Sequence, residues 1–118
     1  MQLVIDIEGF GAVSAELDDS SAARDFASLL PLSLTLQDYA ATEKVSDLPR
    51  RLSTEDAPAE CNADAGDLTY YAPWGNLAIF HKQFQYADGL VKLGRIAPEG
   101  VDSLKTSGPL KVTIRKDH

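Results

Sequence analysis

Two adjacent arginines, Arg50 and Arg51, stand out because the sequence around them is acidic. Their forked guanidinium donors could hold a carboxylate or an amide oxygen of a ligand. A structural role is the competing interpretation, since both arginines could form ion pairs with Glu43, Asp47 or Glu55. We give the structural interpretation more weight, because a charged cluster is a weak indication of a binding site.

Aromatic residues are concentrated between positions 70 and 86, although they make up only 8% of the chain. Most large rings of a small domain belong to its core, but Trp74 falls in a predicted turn. A turn tryptophan that is partly exposed can wall a pocket, so we predict a shallow apolar site between Trp74, Phe84 and the loop of Arg50. The candidate ligand-binding residues are Arg50, Arg51, Tyr70, Trp74, Phe80 and Phe84.

Motifs for phosphate binding, nucleophilic catalysis and metal binding are missing from the sequence. The glycines Gly9 and Gly11 are not followed by a third glycine that opens a helix, so we interpret them as turn residues. Cys61 is the only cysteine, which excludes an internal disulfide, and two histidines offer it few partners for a metal site. We therefore expect neither a metal nor a cofactor.

Two single residues invite an acid-base interpretation. His81 continues the face of Leu77 and Ile79 in a predicted strand, which favours a structural or rim position over a general base. Asp67 follows Gly66, and we interpret its side chain as a cap at the entrance of a hairpin. Neither residue is predicted to be catalytic.

A hairpin at residues 66–82 organises the chain. Its strands run from Leu68 to Ala72 and from Leu77 to Lys82, and the Pro-Trp-Gly-Asn turn between them reverses the chain. The second strand carries apolar side chains on both faces, whereas a strand with one solvent-exposed face would alternate apolar and polar residues. We therefore expect it to lie centrally, covered on both sides.

The other segments are mostly predicted to be short strands. Period-two alternation predicts a hairpin from residues 2–8 and 13–17, a strand at residues 32–36 and a last strand at residues 110–114. Side-chain oxygens at residues 18–21 and the helical spacing after them predict a helix of about ten residues that ends at Leu30, before Pro31. We also expect short strands at residues 43–47 and 50–52, followed by a loop at residues 84–89. A strand is predicted at residues 90–97, with a bulge or a close backbone approach at Gly94. Residues 98–105 are predicted to form a turn or a one-turn helix. Seven or eight strands with one clear helix indicate a barrel or a sandwich.

The composition is that of an ordinary globular protein, with 44% hydrophobic and 25% charged residues. A length of 118 residues predicts a single domain over residues 1–118.

The net charge of −7 is unevenly spread, since residues 1–60 hold 12 acids and 4 bases and residues 61–118 hold 6 acids and 7 bases. This balance argues against a nucleic-acid partner. Because no apolar run reaches the length of a membrane span, we expect no membrane partner and a cytoplasmic location.

Several short segments carry a family resemblance. They are Leu29-Leu30-Pro31-Leu32, Tyr39-Ala40, Leu48-Pro49-Arg50, Leu52-Ser53, Gly66-Asp67-Leu68, Tyr71-Ala72-Pro73-Trp74-Gly75-Asn76-Leu77-Ala78 and Leu93-Gly94-Arg95-Ile96. Together they resemble the bacterial cyclophilin-like domain family over most of the chain, and the Tyr-Ala-Pro-Trp-Gly-Asn block is specific. The resemblance implies a mainly β fold, a closed eight-stranded cyclophilin-like barrel with one clear helix and a short second one. Members of this family are largely without an assigned activity.

The resemblance leaves three functions open. True cyclophilins isomerise Xaa-Pro bonds with an arginine beside an apolar pocket, but this chain lacks their Phe-His-Arg, Gln-Gly-Gly-Asp-Phe and Gln-Phe-Phe segments. We therefore expect a binding module for a small molecule or a proline-containing short peptide, at a groove on the side of the barrel. The alternative is a prolyl isomerase that uses Arg50 or Arg51 electrostatically, with Phe80, Phe84 or Trp74 around the proline ring. The third is a structural partner domain, which would show a large exposed apolar patch and no small pocket.

Overall fold

The computed structural model of the protein describes residues 1–55, 57 and 60–117, and for residues 60, 61 and 85–87 it describes the backbone alone. In chain order the elements are β1 (Gln2–Ile7), β2 (Gly11–Leu17), α1 (Ser21–Ala27), β3 (Leu32–Tyr39), β4 (Glu43–Asp47), β5 (Glu60–Ala63), β6 (Asp67–Tyr71), β7 (Asn76–Phe80), β8 (Phe84–Asp88), β9 (Leu90–Ile96), α2 (Pro98–Leu104) and β10 (Leu110–Lys116).

Within these residues eight antiparallel strands close into a barrel in the order β1-β10-β3-β4-β7-β6-β9-β2, and β5 and β8 form a separate two-stranded sheet. The closed eight-stranded barrel implied by the family resemblance is confirmed. Closure leaves no unpaired edge in the main sheet. The described residues contain no helix long and apolar enough to cross a membrane.

The inside of the barrel is filled by the alternating apolar residues of its strands. In the predicted first hairpin, which is confirmed, Ile5 lies opposite Val13 on one side and opposite Ile114 on the other. All three side chains are buried. Leu36 of β3 is also buried, whereas Leu32 and Leu34 are only partly covered.

Helix α1 begins where the sequence predicts and ends earlier than predicted. The Ser20 side chain accepts a hydrogen bond from the Ala23 amide, as an N-cap residue does. The helix ends at Ala27, and Pro31 further along disfavours a helical conformation at Leu30. The last residues tighten into turns, with the Leu30 amide donating to the Ala27 carbonyl.

The central hairpin is confirmed as β6 and β7. Every residue of β7 is buried, and the strand pairs with β4 on one side and β6 on the other. Leu77 and Ile79 face the main core, while Ala78 and Phe80 belong to a second apolar cluster. The central position and the two-sided covering predicted for this strand are therefore confirmed.

The bulge and the close approach predicted at Gly94 are both present. The β6–β9 register shifts between Leu68 and Thr69, which pair with Gly94 and Lys92. A Cβ atom at Gly94 would overlap the Glu16 carbonyl oxygen of β2. The glycine therefore lets β9 lie close to β2 where the barrel closes.

The strand predicted at residues 43–47 is confirmed as β4, but the predictions for residues 50–52 and 84–89 need correction. Residues 50–52 form no strand, because the Leu52 amide donates to the Tyr70 hydroxyl and not to a ladder. Residues 84–88, predicted to be a loop, form β8 and pair with β5. The short second helix is confirmed as α2, although its seven residues are more than the single turn predicted for residues 98–105.

Lys44 of β4 is fully buried on the face opposite Glu43 and Val45. Its ammonium donates to the carbonyl oxygens of Thr106 (2.6 Å) and Gly108 (2.7 Å) and lies 2.7 Å from an Asp38 carboxylate oxygen. These contacts fasten β4 to the connection between α2 and β10.

Candidate functional site

A groove lies on the outer face of the barrel, where β4 and β7 are neighbours. The ladder places Glu43 opposite Phe80 and Val45 opposite Ala78 on this face. Residues of the β5–β8 sheet pack onto the same cluster, and the rings of Phe80 and Phe84 have centroids 5.8 Å apart. The groove is therefore separate from the barrel core.

The groove has a volume of about 150 Å³. Its lining residues come from β3, β4, β6, β7, β8 and β9, and from the β3–β4 and β6–β7 turns. They are Tyr39, Ala40, Glu43, Val45, Tyr71, Trp74, Asn76, Phe80, Phe84 and Leu90.

Three aromatic rings span the groove. The indole of Trp74 meets Tyr39 and Tyr71 edge to face, with ring centroids 5.4 Å and 5.3 Å apart. In the barrel β4 and β7 lie between β3 and β6, so this row of rings bridges both strands. Despite these two contacts, Trp74 is 54% exposed.

Glu43 is the one charged side chain among the described residues that line the groove. It lies opposite Tyr39 on β3 and opposite Phe80 on β7, and it is only 9% exposed. Burial raises the pKa of Glu43 to about 7, with the neighbouring Thr42 side chain acting in the opposite direction. The groove thus contains a carboxyl group that can accept or donate a proton at neutral pH.

Asn76 contributes a second buried polar group. It is 6% exposed, and among the described residues its Oδ1 atom receives no hydrogen bond. A buried amide oxygen without a donor is unfavourable by roughly 1–3 kcal/mol. A ligand that supplied an N–H or O–H group would remove that penalty.

A larger concave surface of about 510 Å³ lies elsewhere, over β1, β3, β10 and the start of β2. It is open to solvent, and most of its polar side chains are exposed, including Glu8, Thr35 and Lys111. None of its described lining residues has a buried polar atom without a hydrogen-bond partner, whereas the smaller groove contains the Asn76 Oδ1 atom. We therefore regard the smaller groove as the candidate site.

No group of three His, Cys, Asp or Glu side chains that could hold a metal ion occurs in the described part of the chain. The described lining residues of the groove supply one carboxyl group, one amide and five aromatic rings, two of which are tyrosine phenols. Such a set can bind a ligand and exchange a proton with it.

A family model for the Cyclophilin-like family matches residues 5–115. The chain belongs to the Cyclophilin-like family. Among solved structures, the hypothetical protein AF2241 from Archaeoglobus fulgidus aligns over 99% of this chain and 95% of its own, with a TM-score of 0.64 and 18% identity. McbB, solved in complex with tryptophan, aligns over 98% of this chain and 44% of its own, with a TM-score of 0.59 and 14% identity. Both likenesses show the fold alone, and no curated protein that we compared matches the chain.

This Cyclophilin-like barrel brings together three of the six residues predicted to bind a ligand. Trp74, Phe80 and Phe84 all line the groove. Tyr70 does not, because its side chain points into the barrel core and its hydroxyl accepts a hydrogen bond from the Leu52 amide at 3.1 Å.

Neither predicted arginine lines the groove. Arg50 forms a two-pronged ion pair with Asp25 of α1, with nitrogen–oxygen distances of 2.7 Å and 3.0 Å. Arg51 donates to the Ala72 carbonyl at 2.7 Å. Both guanidinium groups therefore contact the protein itself, although their partners are not the three acids that the sequence suggested.

His81 and Asp67 also lie outside the groove. His81 follows β7 and is buried, its amide donates to the Thr42 carbonyl, and burial is the main cause that lowers its pKa. Asp67 accepts a hydrogen bond from the Asp64 amide at 2.8 Å and lies 3.0 Å from the Lys92 ammonium. It holds the turn that leads into β6.

The sequence prediction did not include Glu43, Asn76, Tyr39 or Tyr71 in the site. Glu43 looked like an ion-pair partner for an arginine, because the sequence does not show which strand lies beside β4. Two signals were available. Glu43 alternates with Val45 on one face of the predicted strand, and Tyr71 lies close to Trp74 along the chain.

Proposed function

We propose that this chain is a binding module that holds a small molecule or a short peptide in the groove between Glu43 and Trp74. The observation that carries the proposal is an aromatic-walled cavity that contains a nine-tenths buried carboxyl group and an amide oxygen without a donor. Ligand sites are typically concave and apolar, with a few polar groups that orient the ligand.

The size of the groove limits what it can hold. Its volume of about 150 Å³ is below the roughly 300–1,000 Å³ of pockets for drug-sized ligands. An apolar cavity of about 150 Å³ holds one benzene molecule in another protein. We therefore expect the groove to take a single ring or one compact side chain, with the remainder of the ligand outside.

Prolyl isomerase activity is the alternative, since a proline ring has a suitable size. That chemistry needs a donor directed at the twisted amide, and the guanidinium groups of Arg50 and Arg51 contact Asp25 and Ala72 instead. This arrangement favours the binding module over the isomerase. The presence of a groove likewise favours it over a structural partner domain.

Binding can be tested by two-dimensional NMR of the labelled protein with two probes, benzyl alcohol and an alanine-proline dipeptide blocked at both ends. We expect saturable shifts in the signals of Trp74 and Phe80, with a Kd on the order of 1 mM for so few atoms. The Trp74→Ala variant should lose the ligand-induced shifts of the Phe80 signals. Phe10→Ala removes another half-exposed ring, at the tip of the β1–β2 turn, and should keep them.

Absence of shifts at the groove for every probe would overturn the proposal, and so would shifts that persist in Trp74→Ala. Exchange spectra of the dipeptide in the same samples test the alternative. Uncatalysed isomerisation takes tens to hundreds of seconds, so acceleration that disappears in Arg50→Ala or Arg51→Ala would make the protein an isomerase.

A further inference from the structure

The charge of the groove indicates what kind of ligand it accepts. Among the described lining residues Glu43 is the only one with an ionisable carboxyl group, and no lysine, arginine or histidine lines the cavity. An anionic ligand would therefore meet the negative charge of Glu43 and no positively charged side chain among the described lining residues. A cation would give the buried carboxylate a positively charged partner, which the described lining residues do not supply.

The hydrogen-bonding groups point to a ligand that donates. Glu43 lies at one end of the groove, opposite Phe80, and Asn76 lies four residues along β7 from Phe80, about 13 Å away at strand spacing. The carboxylate and the unpaired Asn76 Oδ1 are both acceptors. A ligand with an N–H group at its charged end is therefore complementary to the end of the groove that contains Glu43.

The aromatic walls fit a cation as well. Tyr39 and Phe80 flank Glu43 on the two neighbouring strands, and the Trp74 indole contacts Tyr39. The faces of aromatic rings attract cations, and the attraction is strongest where water is excluded. A carboxylate set among rings is the arrangement that a protonated amine prefers.

We propose, on the basis of the binding function above, that the groove recognises a protonated amine carried on one small apolar or aromatic body. The ammonium lies between Tyr39 and Phe80 and donates to the Glu43 carboxylate. The apolar body occupies the space beside Trp74, Phe84 and Leu90.

Proton exchange accompanies this recognition. The Glu43 carboxyl group has a pKa of about 7, so part of the free protein carries it protonated at neutral pH. A cation binds the ionised form, and binding therefore releases a proton and strengthens as pH rises through 7.

The groups that face Glu43 do not change the direction of this pH dependence. Its cross-strand neighbours are Tyr39 of β3 and Phe80 of β7, and neither is an Asp, Glu, His, Lys or Arg. Phe84 of β8 lines the same groove and carries no charge. The titratable groups on the opposite face of these strands are Asp38, Lys44 and His81. Lys44 is already held by Asp38 and two carbonyl oxygens.

The test compares benzylamine with benzyl alcohol and phenylacetate, by NMR titration at pH 6 and pH 8. We expect benzylamine to bind tightest at pH 8. Its affinity should rise about tenfold between the two values, because a carboxyl of pKa about 7 ionises in that interval. The affinity for benzyl alcohol should change less than about twofold, since a neutral ligand gains little from ionisation.

Glu43→Gln keeps the shape of the side chain and removes its charge. It should weaken benzylamine binding roughly tenfold at pH 8 and leave benzyl alcohol nearly unchanged. Asp47→Asn is the matched control, because Asp47 is an exposed acid on the same face of β4 that does not line the groove. It should change the affinity for benzylamine less than about twofold.

The outcomes separate this proposal from the binding function. If benzyl alcohol binds as well as benzylamine, or if the affinity for benzylamine falls between pH 6 and pH 8, the amine proposal is wrong and the binding module stands. If no probe shifts the groove signals, both are wrong.

A lysine residue blocked at both ends serves as a further probe, and binding as tight as that of benzylamine would indicate a peptide side chain as the source of the amine.

Discussion

The indole of Trp74, in the turn between β6 and β7, meets the ring of Tyr39 at the end of β3 with centroids 5.4 Å apart. The two residues belong to strands that are not neighbours in the barrel, since β4 and β7 lie between them. Their contact therefore crosses the groove that contains Glu43. Trp74 contributes to the shape of the site more than to the barrel core, from which its side chain is absent.

Replacing Trp74 by Ala should lower the free energy of unfolding only modestly. The ring is half-exposed and makes two edge-to-face contacts, each contributing about 0.5–1.5 kcal/mol. We expect a loss of about 1–2 kcal/mol in urea unfolding followed by circular dichroism, with Phe10→Ala losing less than about 0.5 kcal/mol. A loss above about 4 kcal/mol would show that Trp74 supports the fold as a core residue does.

Replacing Asp25 by Asn should loosen the segment that follows β4. The Asp25 carboxylate binds the Arg50 guanidinium and the Ser53 amide (2.7 Å), and it thereby ties this segment to α1. Loss of these charge-assisted bonds should lower the free energy of unfolding by about 1–2 kcal/mol at pH 7. Arg24→Ala, which breaks an exposed ion pair on the same helix, is the control and should have little effect.

The effect of Asp25→Asn should also depend on pH. The hydrogen bond from Arg50 is the main cause that lowers the pKa of Asp25 below its usual 3.8. A carboxyl with a lowered pKa stabilises the fold above pH 3.8, and this contribution is lost as pH falls through the folded-state value. Unfolding curves of the two proteins should converge in acid, and a constant difference down to pH 2 would contradict the ion-pair explanation.

Replacing Gly94 by Ala should affect the barrel far more than an alanine at Gly9. A Cβ at Gly94 would overlap the Glu16 carbonyl oxygen and lie 2.9 Å from Leu17 Cα, both backbone atoms that cannot rotate away. We expect a loss of about 3 kcal/mol or more in thermal or urea unfolding. Gly9 has a φ of +88° and open space around it, so its alanine variant should lose only about 1–2 kcal/mol from backbone strain. Equal losses would show that β9 can move away from β2.

The sequence predicts those strands whose apolar pattern is visible in the chain itself. The two-faced pattern of residues 77–80 places β7 at the centre, and alternation at residues 110–114 predicts β10. The strand β5 has the sequence Glu-Cys-Asn-Ala, which shows no such alternation, so neither β5 nor its partner β8 was predicted. Pairing between distant segments decides those strands, and a single sequence does not show it.

The same limit applies to the site. Trp74 was found because a large ring in a turn is unusual, and Phe80 and Phe84 were found because they lie near it in sequence. Glu43 was not found, because its neighbours Tyr39 and Phe80 come from other strands. A polar residue in a strand becomes recognisable as part of a site only when its cross-strand neighbours are known.

Replacing Glu43 by Gln should stabilise the protein at high pH. Burial raises the pKa of Glu43 from 4.5 to about 7, so the folded state holds the proton more tightly than the unfolded state. The stability linked to this proton is fully present below pH 4.5 and is lost as pH rises through 7. Glu43→Gln should therefore exceed the wild type in free energy of unfolding by at most about 3 kcal/mol at pH 8, with the difference shrinking toward pH 4.

The measurement is a series of urea unfolding curves between pH 4 and pH 8. Glu8→Gln, at an exposed glutamate in the β1–β2 turn, is the control and should show no comparable trend. If the Glu43→Gln variant and the wild type differed by the same amount at pH 4 and pH 8, Glu43 would not be a desolvated carboxyl group. In that case Glu43 would be ionised at both pH 6 and pH 8, and the rise in amine affinity predicted between these values would not occur.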